Sequence, residues 1–152
     1  MSKTINFYRA ENPYGFMSNF SRHRVFYNND HFPTSEHAFQ AMKFVGTDYY
    51  FKVKDASTPG DSAKKGRSRA YPLRADWETV KDEIMYDICL AKFKQNKDIG
   101  ASLLETGDAI LVEYTENDYY WGSGGVNGGG RNQLGITLMR VRDTIRNEKE
   151  NK

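Results

Sequence analysis

Apolar positions along this chain fall in short runs, and their spacing predicts a mixture of brief strands and longer helices. Ile5-Asn6-Phe7-Tyr8 reads as a short strand, followed by a turn at residues 13–15 and the apolar pair Phe16-Met17. Arg24-Val25-Phe26-Tyr27 reads as a second strand, with Asn28-Asn29-Asp30 as its turn. Pro33-Thr34-Ser35 is a helix-start signal, and Gly46 a stop, for a short helix carrying Phe39, Met42 and Phe44. Residues 47–60 are ambiguous, with a helix ending before Pro59-Gly60 as one reading. Asp61 to Arg67 predicts a short helix capped by Gly66. Asp76 is a suitable N-cap for a long helix over Trp77 to Asn96, with Val80, Ile84, Ile88 and Ala91 as its buried stripe. A further helix runs through Leu103 and Leu104 to Gly107, and Ala109 to Tyr114 is the clearest strand. A Gly-rich loop and a last helix around Leu138, Val141 and Ile145 complete the chain, with Arg146 to Lys152 expected to fray. The order lacks alternating βα units, so the expected fold class is a helix-rich, single-domain α+β protein with a small antiparallel sheet.

The helix after Pro33 is the most informative segment. Glu36, Gln40 and Lys43 stand at i, i+4 and i+7, which aligns an acid, an amide and an amine on one face, with His37 beside them. Spacing leaves two readings open. One is a solvated face with Glu and Lys in the favourable order for a helix ion pair. The other is a reactive row, for which Glu36 must be buried, because a carboxylate in a first helical turn is otherwise held ionised by the macrodipole.

Composition narrows the classes. At 152 residues the chain is one domain with enough length to bury a core. A formal charge of +2 argues against a surface that seeks nucleic acid as a whole. Ten Tyr, nine Phe and two Trp supply groups that stack on bases or sugars as well as pack. Cys89 is the only cysteine, which excludes an intramolecular disulfide and a Cys-based zinc site. It sits in a helical apolar pattern that favours a buried, inert thiol. His23, His31 and His37 have no metal-ligand spacing, so no metal and no cofactor are expected. No apolar run approaches membrane-spanning length and the start Met-Ser-Lys-Thr lacks a signal-peptide core, so a soluble cytoplasmic protein is expected.

Two other segments carry candidate chemistry. Glycines at 122, 124, 125, 128, 129 and 130 are entropically costly to order, which leaves a floppy loop and a close ligand approach as equal readings. The loop matches neither a Walker A motif nor a dinucleotide fingerprint, although its amides suit a phosphate or sugar. Between Lys52 and Arg74 lie seven Lys or Arg residues against two Asp, a cluster suited to a polyphosphate or to plain solvation. Arg67 in that cluster has the planar geometry for bidentate phosphate contact.

Taken in order, the motifs are Asn12-Pro13-Tyr14-Gly15-Phe16-Met17-Ser18-Asn19-Phe20; Pro33 to Phe44; Gly66-Arg67; Arg74-Ala75-Asp76-Trp77; Ala91-Lys92-Phe93; Leu104 to Asp108; Leu111-Val112-Glu113; and Tyr120-Trp121-Gly122 leading to Asn132-Gln133-Leu134-Gly135. This ordered set closely resembles the NADAR (YbiA-like) family and covers residues 1–147, leaving 148–152 as a polar tail. The segment Ser123 to Arg131 is more Gly-rich than the family pattern.

The resemblance implies N-glycosidic chemistry on a ribose C1–N bond. Two substrate classes go with it: ADP-ribose on guanine bases of nucleic acid, and phosphoribosylamino-pyrimidine intermediates of riboflavin synthesis. In the mechanism it suggests, Lys43 forms a Schiff base with C1 and Glu36 moves protons. Lys92 is the rival nucleophile and Glu113 the second acid–base candidate. The substrate-binding set is Asn19, His37, Gln40, Arg67, Asp76, Trp77, Glu113, Trp121, Gly122 and Asn132. Within it Asn19 and Gln40 orient ribose hydroxyls, Trp121 stacks on a base, and Arg67 or the Gly-rich loop holds phosphate. Asp76 is read first as a helix cap. The expected partners are therefore ADP-ribosylated nucleic acid or a small ribosylated nucleobase, with no membrane. A non-catalytic ADP-ribose reader is the competing class, and it would have no use for an acid and an amine side by side.

Overall fold

The computed structural model describes residues 3–124 and 128–151. Its elements are β1 (Thr4–Phe7), a 3-10 turn at Gly15–Met17, β2 (Val25–Tyr27), β3 (Asp30–Phe32), α1 (Ser35–Met42), α2 (Tyr49–Lys54), α3 (Pro59–Arg67), α4 (Trp77–Gln95), α5 (Lys97–Glu105), β4 (Ile110–Glu113) and α6 (Gln133–Glu150). The expected helix-rich α+β class holds. The antiparallel sheet is the hairpin β2–β3, closed by Asn28 and Asn29 at φ 52° and 63°, the left-handed pair that matches strand twist in a two-residue turn. A second pair was not anticipated: β1 lies parallel to β4, with Phe7 opposite Glu113.

Helix α1 sits at the centre of the fold, packed on α2, α3 and α4, while α4 also packs on α6 and α6 on β4. Thr34 caps α1 by accepting from the His37 amide at 3.2 Å, and the capping hydroxyl also meets His37 Nδ1 at 2.8 Å. Seven of its eight residues are buried, because neighbours cover it on nearly every side. Gly46, at φ 85°, then turns the chain away.

Several local expectations are corrected. Helix α3 starts at Pro59, not Asp61, since Thr58 caps it by accepting from the Asp61 amide. Gly66 is not its cap but lies inside its last turn. A Cβ there would sit 2.0 Å from Gln40 Oε1, so glycine is what lets α3 close on α1. Asp76 occupies the N-cap position of α4 but makes no capping bond; its carboxylate is held by Arg74 Nε at 2.7 Å and by Arg74 Nη2 at 3.1 Å. The buried stripe of α4 includes Ile84 and Ile88 as expected, but Val80 and Ala91 are only half-buried and Met85, Cys89, Lys92 and Phe93 are buried instead. Helix α6 continues through Glu150, where fraying from Arg146 was expected; Arg146 is held to Gly107 O and to Asp108.

Candidate active site

The end of α1, the loop after the 3-10 turn, the inner face of α3 and the segment after β4 enclose a cavity of about 260 Å³. Glu36, Phe39 and Gln40 come from α1, Asn19 and Phe20 from the loop, and Ala63 and Arg67 from α3. Glu113, Thr115, Asn117, Asp118 and Trp121 close it from the β4 side. A wider cavity of about 710 Å³ adjoins it, and the two share Tyr8, Phe20 and Glu113.

The α1 row is not a solvated face. Gln40 is 6% exposed and Lys43 7%, which removes the ion-pair reading of the spacing. Gln40 Nε2 donates to Glu36 Oε2 at 2.7 Å, while Gln40 Oε1 is buried without a partner. Burial raises the Glu36 carboxyl above the ordinary carboxylate range, against the Gln40 hydrogen bond and the Lys43 and Arg67 charges, with Asp118 adding to the rise. Desolvation thus acts on Glu36 in the direction that the reactive reading requires, toward the protonated form.

Lys43 caps the C-terminus of α1, and its amine donates to Gly66 O at 3.3 Å and lies 5.8 Å from the centre of the Trp77 ring. Burial and the neighbouring Arg69 lower its pKa to about 8, opposed by Glu36. It is not itself a cavity wall; it stands behind the wall, on the same Gly66 against which Gln40 packs. Trp77 is buried against Phe39, with ring centres 5.1 Å apart, and supports the wall from behind.

Lys92 is placed otherwise. It is fully buried in α4, outside both cavities, and donates to Phe16 O at 2.7 Å and Ser18 O at 3.0 Å. Its amine clamps the 3-10 turn onto α4. Burial lowers its pKa to about 8 as well, so the shift alone does not single out a nucleophile.

The remaining sequence candidates divide clearly. Asn19 lines the cavity and is pinned by Ser35 Oγ, which donates to its Oδ1 at 2.9 Å. Arg67 is exposed at the mouth, and Trp121 packs edge-on to Phe39 with its other side toward the cavity. Glu113 opens on both cavities; burial, Asp118 and Glu36 push its carboxyl up to about 8. His37 is buried between Thr34 Oγ1 and Ala56 O, where it locks α1 to the chain after α2 and does not face the cavity. Asp76 is exposed on Arg74, away from the cavity.

Asn132 and Gly122 are framework. Asn132, at φ 52°, accepts from the Glu113 amide at 3.0 Å and donates to Leu111 O at 2.9 Å, so its side chain extends the β4 edge and fixes Glu113. A Cβ on Gly122 would lie 2.3 Å from Thr115 Oγ1. The described part of the Gly-rich loop closes on itself, with the Gly130 amide on Ser123 O and the Asn132 amide on Gly122 O. Gly125, Val126 and Asn127 lie outside the described residues.

Sequence reasoning missed Asp118 and gave no role to Tyr8 or Phe20. Asp118 lies five residues beyond the end of β4. Its Oδ1 accepts from the Tyr120 and Trp121 amides at 3.0 and 2.8 Å, an Asx-type turn that fixes a third carboxyl beside Glu36 and Glu113. Among the described residues no cluster of three or more His, Cys, Asp or Glu has the arrangement to hold a metal ion. No helix there is long and apolar enough to cross a membrane.

A sequence profile of the NADAR domain matches residues 6–146. The chain belongs to the NADAR family. It is 45% identical over 145 residues to N-glycosidase YbiA of Escherichia coli (strain K12), covering 95% of this chain and 90% of that protein. It is 44% identical over 147 residues to N-glycosidase Npun_R5314 of Nostoc punctiforme, covering 95% and 94%. A segment making up 25% of the maize chloroplastic riboflavin biosynthesis protein PYRR matches 93% of this chain at 38% identity. The NMR structure of E. coli YbiA superposes with a TM-score of 0.90 at 43% identity, covering 100% of this chain and 90% of that one.

Proposed function

We propose that this NADAR-family protein is an N-glycosidase that hydrolyses a ribose C1–N bond, and that its substrate is ADP-ribosyl-guanine in nucleic acid. The observation that carries the reading is the Glu36–Gln40–Lys43 row: Gln40 and Lys43 are buried, Glu36 and Gln40 line the cavity beside Glu113, and Lys43 stands behind its wall. The printed names of the E. coli and Nostoc relatives support the bond class.

A proton delivered to the ring oxygen by Glu36 opens the ribose and leaves an imine between C1 and the base amine. The unprotonated Lys43 amine, freed from Gly66 O by rotation of its flexible stem, adds to C1. Glu113, at the junction of the cavities, gives a proton to the base nitrogen, which departs as a free amine while C1 stays double-bonded to Nζ. Water then adds to C1, the C1–Nζ bond breaks, and the sugar leaves as an aldehyde that recloses. One water is consumed in all. Asn19 and Gln40 meet the ribose hydroxyls and Arg67 the sugar phosphate.

One observation favours a second mechanism on the same bond. Glu36 and Glu113 are walls of the cavity and Lys43 is not, an arrangement that suits direct hydrolysis by two carboxyls. Borohydride during turnover separates the two: a sugar adduct on Lys43 supports the Schiff base, and active enzyme without an adduct supports the carboxyl pair. The maize relative's name motivates a second substrate, a phosphoribosylamino-pyrimidine.

The deciding experiment incubates the protein with an oligonucleotide bearing ADP-ribosyl-guanine and follows products by mass spectrometry. Free ADP-ribose and an intact unmodified oligonucleotide are expected. No release, with turnover of the pyrimidine intermediate, would transfer the activity to that substrate. Saturable ADP-ribose binding without any product would make the protein a reader.

A further inference from the structure

The cavity of about 710 Å³ beside the candidate site is not used by the chemistry above. Tyr8 and Phe20, large aromatics that line this cavity as well as the inner one, are 51% and 41% exposed. Two arginines line it. Arg9 lies 3.8 Å from Glu11 and is partly neutralised, whereas Arg22 has no hydrogen-bond or ion-pair partner among the described residues. Glu113 stands where the two cavities meet.

We propose that this outer cavity is a subsite for the single-stranded nucleic acid that continues from the modified base, with an unstacked base on Phe20 and Tyr8 and a phosphodiester on Arg22. The inference rests on the nucleic-acid reading above and adds where the strand runs. The inner cavity, at about 260 Å³, is smaller than the roughly 300–1,000 Å³ of pockets that enclose a drug-sized ligand, so the strand attached to a base held there must leave it. It leaves past Glu113, because Arg67, the cation suited to the sugar's own phosphate, lines the inner cavity and not the outer one. Exposed aromatic faces flanked by a cation are the elements by which single strands are held without regard to sequence. A duplex keeps its base faces covered and cannot use them. The modest net charge of +2 is compatible with this, since one short track needs few phosphate contacts.

The test uses the whole protein and a fluorescein-labelled single-stranded DNA octamer without ADP-ribose, followed by anisotropy over a range of salt. Saturable, salt-sensitive binding is expected, with the matching duplex weaker. Phe20→Leu removes the π face but keeps an apolar side chain, and it is expected to raise Kd about five- to tenfold, the scale of one lost base–aromatic stack. Arg22→Gln is expected to weaken binding and to reduce the slope of log K against log salt by roughly 0.7. Arg140→Gln, the same charge change on α6 outside both cavities, is the control expected to alter neither quantity. Saturating ADP-ribose is expected to leave the octamer bound. No octamer binding, an equal loss in the Arg140 control, or displacement of the octamer by ADP-ribose would each overturn the subsite. The substrate reading is tested apart from this by release of ADP-ribose from the oligonucleotide bearing ADP-ribosyl-guanine. Release without octamer binding sinks only the subsite; no release at saturating oligonucleotide sinks the reading beneath.

Discussion

Lys43 and Lys92 are both buried lysines whose pKa is lowered to about 8, yet they sit in regions built for different ends. Lys92 has two short bonds to backbone carbonyls and no opening to either cavity. Lys43 has one bond of 3.3 Å, an aromatic ring at 5.8 Å, and a carboxyl of raised pKa about two helical turns back on the same face. Desolvation shifts an amine wherever it occurs, and reactivity needs spare bonding capacity beside a space for substrate. By that measure the proposed scheme assigns the chemistry to Lys43 and leaves Lys92 as a clamp on the 3-10 turn.

The sharpest way to break the comparison is to remove each amine in turn. Lys43→Ala is expected to lower kcat by about a thousandfold or more, equivalent to roughly 4 kcal/mol of barrier, with little change in thermal midpoint. Lys92→Met is expected to leave Phe16 O and Ser18 O unpartnered and to cost about 2–4 kcal/mol of stability in urea titrations. Its kcat, measured where it remains folded, should stay within a few-fold of the parent. A folded, inactive Lys92→Met beside an active Lys43→Ala would exchange the two roles.

Gly66→Ala probes the Lys43 region without touching a titrating group. The added Cβ meets Gln40 at Oε1, Cδ and Cβ, at 2.0, 2.6 and 2.9 Å, so the whole amide must move and release Glu36. Overpacking of this kind costs about 1–3 kcal/mol, and the helix propensity of alanine offsets part of it. Turnover is expected to fall roughly tenfold, the effect of one lost positioning bond worth about 1.4 kcal/mol. Unchanged kinetics would mean that the Gln40–Glu36 bond plays no part in catalysis.

Much of this was legible in the residues, and the failures have physical causes. The helix of Glu36 and the strand of Glu113 followed from apolar spacing and turn residues. Whether the Glu36 row was wet could not follow, because its burial comes from α2, α3 and α4 packing around α1. Gly66 was read through the commonest use of glycine near a helix end, whereas the side chain it must admit is 26 residues away in sequence. The parallel β1–β4 pairing joins segments about a hundred residues apart, and no local pattern encodes it. Asn132 and His37 belong to motifs that also hold site residues, so motif membership alone could not separate a substrate contact from a hydrogen bond that fixes the frame.

The smallest effect expected distinguishes the carboxyl side of the site from the amines by sign. Glu113 is raised from 4.5 to about 8 in the fold, so between those values the native state holds a proton that the unfolded chain has lost. Stability attributable to Glu113 therefore falls as pH rises from about 4.5 to 8. Lys43 and Lys92 are lowered from 10.5 to about 8, so above pH 8 the unfolded chain holds the extra protons and stability rises again toward 10.5. Subtracting the curve of Glu113→Gln from that of the parent isolates the first limb, for which a slope of negative sign and a total of roughly 1 kcal/mol is expected after allowing for partial solvent screening. Subtracting the curve of Lys92→Met isolates a limb of opposite sign that begins only near pH 8. In the proposed scheme Lys43 must lose its proton and Glu113 must keep one, so kcat is expected to peak close to pH 8 and to fall on both sides. A flat Glu113 difference curve with a preserved rate maximum would take Glu113 out of the proton-transfer scheme and leave Glu36 to serve both the ring oxygen and the leaving nitrogen.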